Sequence, residues 1–553
     1  MSATDPIIEE PAPQAGAAGR EWWRGAVVYQ IYPRSFLDAT GDGVGDLAGV
    51  ADRLGYVADL GVDAIWLSPF FKSPMRDFGY DVSDYRDVDP IFGSLADFDR
   101  IVAEAHKLGL KVVIDQVYSH TSDEHAWFAE SRSDRDNPKA DWYVWADPKP
   151  DGTPPNNWLS VFGGQSWTWD TRRRQYYLHN FLSSQPDLNL HNTEVQDALL
   201  DVARFWLDRG VDGFRLDAIN FGMHDPLLRD NPVAASRAGE RRKPYDFQDH
   251  AFNQSHPDIP KFLERLRKVT DAYGDIFTVA EIGGANPLPE MKSFTERDDR
   301  LNSAYSFDFL YADELTTTGL AAALGAWPGE ADEGWPSWAF SNHDAPRAVS
   351  RWATPDEADA AARLHLMLLM CLRGNAFLYQ GEELGLPQAE IGFDDLRDPE
   401  AIANWPLTLG RDGARTPMPW KRDAANAGFS SSKPWLPAAE AHRALAVDAQ
   451  ERVNASMLNF TRRMIALRKA SPSLHTGDLS FLPSPEGVCA LERRTGGETF
   501  VCVFNLGATA AEWAPPQVAD LDVVEAVGFE AGLAGAPPSR LPKNAAYIAR
   551  RAR

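Results

Sequence analysis

Along much of the chain, apolar positions recur at helical spacing and then give way, after a glycine, to a short run that is apolar on both faces. "VADLGVDAIWLSP", "AHKLGLKVVIDQV", "WLDRGVDGFRLDAIN", "DAYGDIFTVAEI" and "CLRGNAFLYQG" all carry this phrase. The glycine suits the left-handed C-cap that ends a helix. The runs after it are β-branched and largely unalternating, as expected of strands covered on both faces. Helix, glycine and strand in series predict βα units on a parallel sheet. The strands read as "AVVYQIY", "DAIWLS", "KVVIDQV", "DGFRLD", "FTVAE", "AYSFDF", "SWAFSN" and "NAFLYQ".

Eight βα units imply an α/β fold of the (β/α)8 TIM-barrel type. A doubly wound sheet is the alternative, but no Gly-rich phosphate loop follows any strand, which counts against a nucleotide-binding version. The barrel is expected over residues 21–120 and 187–471, with an irregular insertion at about 387–433. The Trp-, Asn- and Pro-rich stretch 121–186 is too long for a structureless loop and predicts a small domain inserted after strand three. From residue 472 to 553 the pattern changes to short alternating runs such as "GVCALERR", which predict a C-terminal antiparallel β-sandwich. Residues 1–20, acidic and rich in Pro and Ala, read as a disordered tail.

Composition narrows the function classes. The chain has 553 residues and a formal net charge of −25. That balance argues against a nucleic-acid or anionic-membrane partner. The most apolar run, "LHLMLLMCL", is too short to span a bilayer and reads as a buried helix. No basic segment followed by an apolar core opens the chain, so no signal peptide is expected and a cytoplasmic location follows. Cys371, Cys489 and Cys502 give neither a disulfide framework nor metal-ligand spacing. A reducing compartment fits, and so does an exported bacterial protein.

Chemistry concentrates at strand ends, where barrel active sites lie. Strand three ends in Asp115 and His120, strand four in Arg215 and Asp217, strand five in Glu281, strand seven in His343 and Asp344. Arg215 and Asp217, two apart, share a face of a buried strand, which is costly unless they are paired or working. Acids with His and Arg, but no phosphate loop, point to glycoside hydrolysis. A neighbouring Arg215 is expected to hold Asp217 as a carboxylate, while apolar surroundings raise Glu281.

The short regions "DQVYSH", "QPDLN", "GFRLDAIN", "VAEI", "FSNHD" and "YQGEELG" appear in an order that resembles the α-amylase family of glycoside hydrolases (family 13), in its α-glucosidase and oligo-1,6-glucosidase branch. The resemblance runs from about Trp22 to the C-terminus. It implies Asp217 as nucleophile, Glu281 as acid/base and Asp344 as the acid that binds the sugar hydroxyls. His120 and His343 would bind the same sugar, and Arg215 would orient Asp217. In "DFGYDVSDY", Asp77 would bind the 4-hydroxyl of the terminal glucose and Tyr80 would stack on its ring. One arginine of "RDGARTPMPW" would pair with Asp77, Arg411 being favoured over Arg415, and Phe162 is a further pocket aromatic.

"DATGDGVGD" spaces oxygen ligands around glycines like a calcium loop, with Asp38, Thr40, Asp42, the Val44 carbonyl and Asp46 as candidates. It lacks the closing Glu of an EF-hand. The family carries a structural Ca²⁺ or Mg²⁺ here, usually with Asn where Thr40 stands. No organic cofactor is implied. Ser119 stands where the family usually has Asn. Ala218, small and next to the nucleophile, leans towards α-1,4 bonds. The implied activity is a retaining exo-α-glucosidase acting on short α-glucosides: maltose-like, with sucrose or isomaltose also in view. Its alternative is an α-glucosyl transferase or glucoside isomerase. A small oligosaccharide is the expected partner, and a monomer or homodimer the expected state.

Overall fold

The computed structural model describes residues 21–551 apart from 235–242, 285–286, 328, 330–332, 409, 517, 530–532 and 534. The tail at 1–20 lies outside the described residues. Eight parallel strands close into a barrel: β1 (Val27–Ile31), β2 (Ala64–Leu67), β3 (Lys111–Val117), β4 (Gly213–Asp217), β5 (Phe277–Ile282), β6 (Ser303–Ser306), β7 (Trp335–Ala339) and β8 (Asn375–Tyr379). Each neighbours the next, and β8 returns to β1 with Val27 opposite Ala376. The helices between them include α1 (Leu47–Asp59), α2 (Leu95–Lys107), α3 (Thr193–Leu207), α4 (Ile259–Asp271), α5 (Pro287–Thr295), α6 (Thr317–Gly325) and α7 (Ala358–Cys371), and α8 (Met457–Ala470) follows β8.

The strands are apolar on both faces because both are covered. Ile65, Leu67, Val112, Ile114, Phe214 and Leu216 face the helices in the main core. Trp66, Val113, Val279, Tyr305 and Phe377 form a second cluster, and the Trp66 ring lies 6.3 Å from Tyr305 and 5.8 Å from Phe377. Alternate residues therefore fill the barrel and pack its helices, the period-2 rule applied to a strand with no wet face.

Between β3 and α3 the segment 121–186 holds a helix (Ala126–Ser131) and a three-stranded antiparallel sheet of Trp145–Ala146, Gln175–Leu178 and Trp167–Asp170. A short hairpin, Phe71–Lys72 with Asp84–Val88, follows β2 and has no counterpart in the sequence reading. The segment after β8 folds into short helical turns. At the C-terminus lies a five-stranded antiparallel sheet: β9 (Asp478–Phe481), β10 (Val488–Thr495), β11 (Glu498–Asn505), β12 (Leu521–Val527) and β13 (Ala546–Arg551), in the order 9-10-11-13-12. Among the described residues its second layer is a two-stranded ribbon, Ala511–Glu512 with Arg540–Leu541, whose Leu541 joins Val488, Val501 and Tyr547 in one core. The other face packs Cys489, Leu491, Cys502 and Phe504 into the main core.

Two buried arginines satisfy carbonyls below this sheet, and one of them, Arg493, joins the sheet to the barrel. Arg468 of α8 donates to the carbonyls of Gly25, Met370, Leu372 and Gly374. Arg493 of β10 donates to those of Cys371, Gly477 and Asp478. Both therefore satisfy carbonyls at the C-terminus of α7, the end that attracts cations. Arg493→Met should weaken the protein by about 2–4 kcal/mol, since it strands buried carbonyls. Urea unfolding should still show one transition for barrel and sheet together. An unchanged midpoint would show that the clamp contributes nothing.

Candidate active site

Strands β3, β4, β5 and β6 bring one cation among three carboxylates. Arg215 is fully buried. Its Nη1 lies 2.5 Å from Asp115 Oδ1 and 2.6 Å from Asp217 Oδ1, and its Nη2 contacts Glu281. Its Nε donates to the Tyr305 hydroxyl at 3.0 Å, and that hydroxyl donates to Glu281 Oε1 at 3.0 Å. Trp66 donates to Asp115 at 2.9 Å and lays its ring 5.0 Å from the guanidinium. The paired, buried ions of the strand are thus parts of one network.

The electrostatics correct one expectation. Burial pushes both Asp217 and Glu281 up to about 7, although Arg215 pulls each down. Asp115 is pushed up to about 6 by the same burial. One guanidinium divided among three carboxylates does not offset their loss of water, so Asp217 ends above, not below, the ordinary range. The negative charge of Asp217 adds to the upward push on Glu281. The chain leaves β4 through Ala218 at φ +39°, a left-handed conformation that costs a non-glycine residue and turns the strand end sharply. The Ala218 N–H lies 3.3 Å from Glu281 Oε2, tying the two strand exits together.

Asp344 sits in a different field. Burial opposes its ionisation, but His343, Arg415 and Arg411 outweigh it and hold the carboxyl well below the usual range. Arg415 Nη2 is 2.6 Å from Asp344 Oδ1 and Arg411 Nη1 is 3.6 Å away. His343 is kept neutral by burial. The amide nitrogen of Gln30 faces its Nδ1 at 2.7 Å, so the ring hydrogen sits on Nε2, 3.2 Å from Asp344 and 2.5 Å from the Tyr80 hydroxyl. The Tyr80 ring stacks on His343 at 5.4 Å.

The hairpin after β2 supplies one wall. Its connection carries Asp77 and Tyr80 around Gly79, which at φ +113° would drive a Cβ to 3.0 Å from the Pro69 carbonyl. Arg411 Nη2 lies 2.7 Å from Asp77 and 2.7 Å from Asp398. Of the two candidate arginines, Arg411 reaches Asp77 and Arg415 reaches Asp344. Phe162 places its ring 5.1 Å from the Arg411 guanidinium. Gln185 Nε2 bridges Asp77 and His120 at 3.1 Å each. Ser119 Oγ holds His120 Nδ1 at 3.0 Å, and burial lowers that ring to about 4, so it is neutral. Asp398 and Gln185 were missed as pocket residues. Asp398 lies in a stretch without periodicity, and Gln185 belongs to the quoted "QPDLN" without an assigned role.

The alpha-amylase catalytic-domain family matches residues 30–477. The chain belongs to the α-amylase family. A "Probable alpha-glucosidase" of Rhizobium meliloti (strain 1021) is 54% identical over 520 residues, covering 92% of this chain and 94% of that protein. An "Oligo-1,6-glucosidase" of Heyndrickxia coagulans is 36% identical, covering 90% of this chain and 94% of its own length. The crystal structure of an alpha-glucosyl transfer enzyme, XgtA, superimposes with a TM-score of 0.90 at 53% identity, covering 96% of this chain and 99% of that one.

In this α-amylase-family chain the Asp38–Asp46 loop is folded tightly on itself. Asp38 accepts from Thr40 Oγ1, the Gly41 and Gly43 amides and Ser430 Oγ. Asp46 accepts from the amides of Ala39, Thr40 and Gly49, the last making it the N-cap of α1. Asp42 accepts from the Val44 amide. The donors facing Asp38 overcome its partial burial and keep it ionised. The oxygen set suits a hard cation chemically, but its carboxylates already face amide and hydroxyl donors. Among the described residues no group of three or more His, Cys, Asp or Glu is arranged to hold a metal ion.

Burial of Asp217 carries a stability consequence. In the unfolded chain an Asp ionises near 4, whereas here it ionises near 7. The native enzyme therefore loses stability as pH rises between those values. Asp217→Asn carries no such loss, and Arg215 keeps two carboxylates. The variant should be roughly 1–3 kcal/mol more stable than the native enzyme at pH 8, with the gap closing towards pH 4. Urea unfolding at the two pH values reads this directly, and a gap that does not shrink on acidification contradicts it.

Proposed function

We propose that this chain is a retaining, exo-acting α-glucosidase that removes terminal glucose from short α-glucosides, with maltose-like α-1,4 bonds favoured over isomaltose and sucrose also accepted. The observation that carries the reading is the convergence of Asp217, Glu281 and Asp344 beside a wall closed by the Asp77–Arg411 pair. The curated glucosidase relatives support the same class.

The mechanism follows from the charge distribution. The reaction needs one ionised carboxylate, Asp217 beside Arg215, and one acid, Glu281, whose buried surroundings favour its protonated form. Ionised Asp217, held by Arg215, attacks the anomeric carbon as Glu281 gives its proton to the departing oxygen. Water then enters, Glu281 takes a proton from it as its oxygen bonds to the anomeric carbon, and the glucosyl–Asp217 bond breaks, freeing the Asp217 carboxylate with the α configuration restored. Asp344, ionised throughout and fixed by Arg415 and His343, binds the sugar hydroxyls and favours the ring distortion that precedes bond breaking. Asp77, His120 and Tyr80 complete the glucose pocket, with Phe162 at its edge. Arg411 braces Asp77 and blocks a further sugar unit.

A second reading, glucosyl transfer to an acceptor other than water, is favoured by the likeness to XgtA. A time course on maltose, isomaltose and sucrose with products resolved by NMR separates the two. Release of α-glucose, fastest from maltose, supports the hydrolase. New glucosides with little free glucose support the transferase.

The Asp38–Asp46 loop is proposed to take a structural Ca²⁺ or Mg²⁺ through Asp38, Thr40, Asp42, the Val44 carbonyl and Asp46, with no part in bond breaking. No helix among the described residues is long and apolar enough to cross a membrane, and a cytoplasmic monomer or homodimer without a nucleic-acid partner is proposed.

Two substitutions test the site. Asp217→Asn should lower turnover by at least roughly 10⁴-fold with folding intact, and substantial residual activity in a pure sample contradicts the nucleophile assignment. Arg411→Ala should weaken binding of maltose more than it slows turnover, and should relatively favour longer maltodextrins by opening the blocked end. An unchanged chain-length preference would remove the exo argument.

A further inference from the structure

The long connection after β4 returns to the barrel mouth through three consecutive residues. Asn253, fully buried, donates to Asn180 Oδ1 at 2.7 Å and accepts from Asn231 at 2.7 Å. Asn180 in turn donates to Asp187, two residues beyond Gln185, which touches Asp77 and His120. Gln254 Nε2 donates to the Gly283 carbonyl at 3.2 Å. The Ser255 N–H donates to the Asn220 carbonyl at 2.6 Å, in a left-handed backbone with φ +59°. The Asn220 side chain itself donates to the Gly283 carbonyl at 2.7 Å.

That carbonyl is well placed to matter. Gly283 lies two residues beyond Glu281, and Asn220 three beyond Asp217. The last ladder pair between β5 and β6 is Ile282 with Ser306, so past that point the sheet no longer holds the backbone. Asn220 and Gln254 take over where the ladder ends. On the other side a Cβ at Gly283 would come within 3.1 Å of the Phe307 ring, so there is little room to shift.

We propose that Gln254 and Asn220 are positioning residues for the acid/base: by pinning the Gly283 carbonyl they fix Glu281 relative to Asp217, and Asn253 sets that pin in register with the pocket wall. Retention needs the two carboxyl groups at a defined separation, and a cross-link between the two strand exits sets it. The proposal rests on the reading of Glu281 as acid/base.

The test is Gln254→Leu, which keeps the bulk and removes the donor, with Gln254→Met as the substitute should Leu impair folding. Relative to the native enzyme, kcat/KM on methyl α-glucoside should fall on the order of tenfold, while that on 2,4-dinitrophenyl α-glucoside, whose leaving group needs no proton, stays within about twofold. The basic limb of the pH profile should move on the first substrate. A purely structural role predicts equal losses on both substrates, and that outcome, or no loss on either, overturns the proposal. Glu281→Gln is the control. If it shows a larger split and Gln254→Leu none, positioning fails alone. If Glu281→Gln slows both substrates equally, the acid/base reading fails instead.

Discussion

One guanidinium inside a closed barrel governs this molecule. Arg215 stands where water is excluded and contacts Asp115, Asp217 and Glu281 at once. No arrangement of a single positive charge satisfies three negative ones in so dry a place. The imbalance is relieved by protons, which is why two of the acids are pushed towards neutral pH. A fully compensated site would hold every carboxyl ionised and have no acid to offer. The barrel supplies the rigidity that makes the shortage tolerable, because parallel pairing of β3, β4 and β5 leaves these side chains nowhere to retreat.

Asp344 shows the opposite solution a short distance away. It has Arg415, Arg411 and the Nε2 face of a neutral histidine, and stays ionised. Neighbouring carboxylates thus differ in charge because their cation supply differs, not their chemistry. Arg411 is also divided, but between Asp77, Asp398 and Asp344 it acts as a brace for a wall. Cations here do two jobs: one leaves acids short of charge, and two secure the surroundings.

Much of this was legible in the chain. Most of the eight strands stood out because they are doubly covered apolar runs after a glycine stop, and Asp115, Arg215, Asp217 and Glu281 interrupt such runs near their exits. The motif order around Asp217, Glu281 and Asp344 named the family. The sequence could not show that Arg215 is divided three ways, since that depends on strands β3 and β5 flanking β4. The upward displacement of Asp217 was therefore misjudged. Asp398 was invisible because its segment has no period, and its partner is recognisable only once the chain has folded back over the barrel mouth. The hairpin after β2 escaped notice because its strands alternate over too few residues. The C-terminal antiparallel domain was legible from its alternating runs, but alternation marks only a buried face, not what covers it, here a barrel on one side and a ribbon on the other.

On the proposed function, the ion pairs of Asp77, Arg411 and Asp398 close the pocket into a cul-de-sac, and this sets how substrate is counted. A blind pocket recognises chain ends, not bonds. At equal mass, a long polymer offers few ends and a disaccharide offers many. Each turnover must also discharge the shortened remainder through the same opening by which glucose leaves. Such an enzyme works best as the last member of a degradative series, downstream of activities that multiply ends.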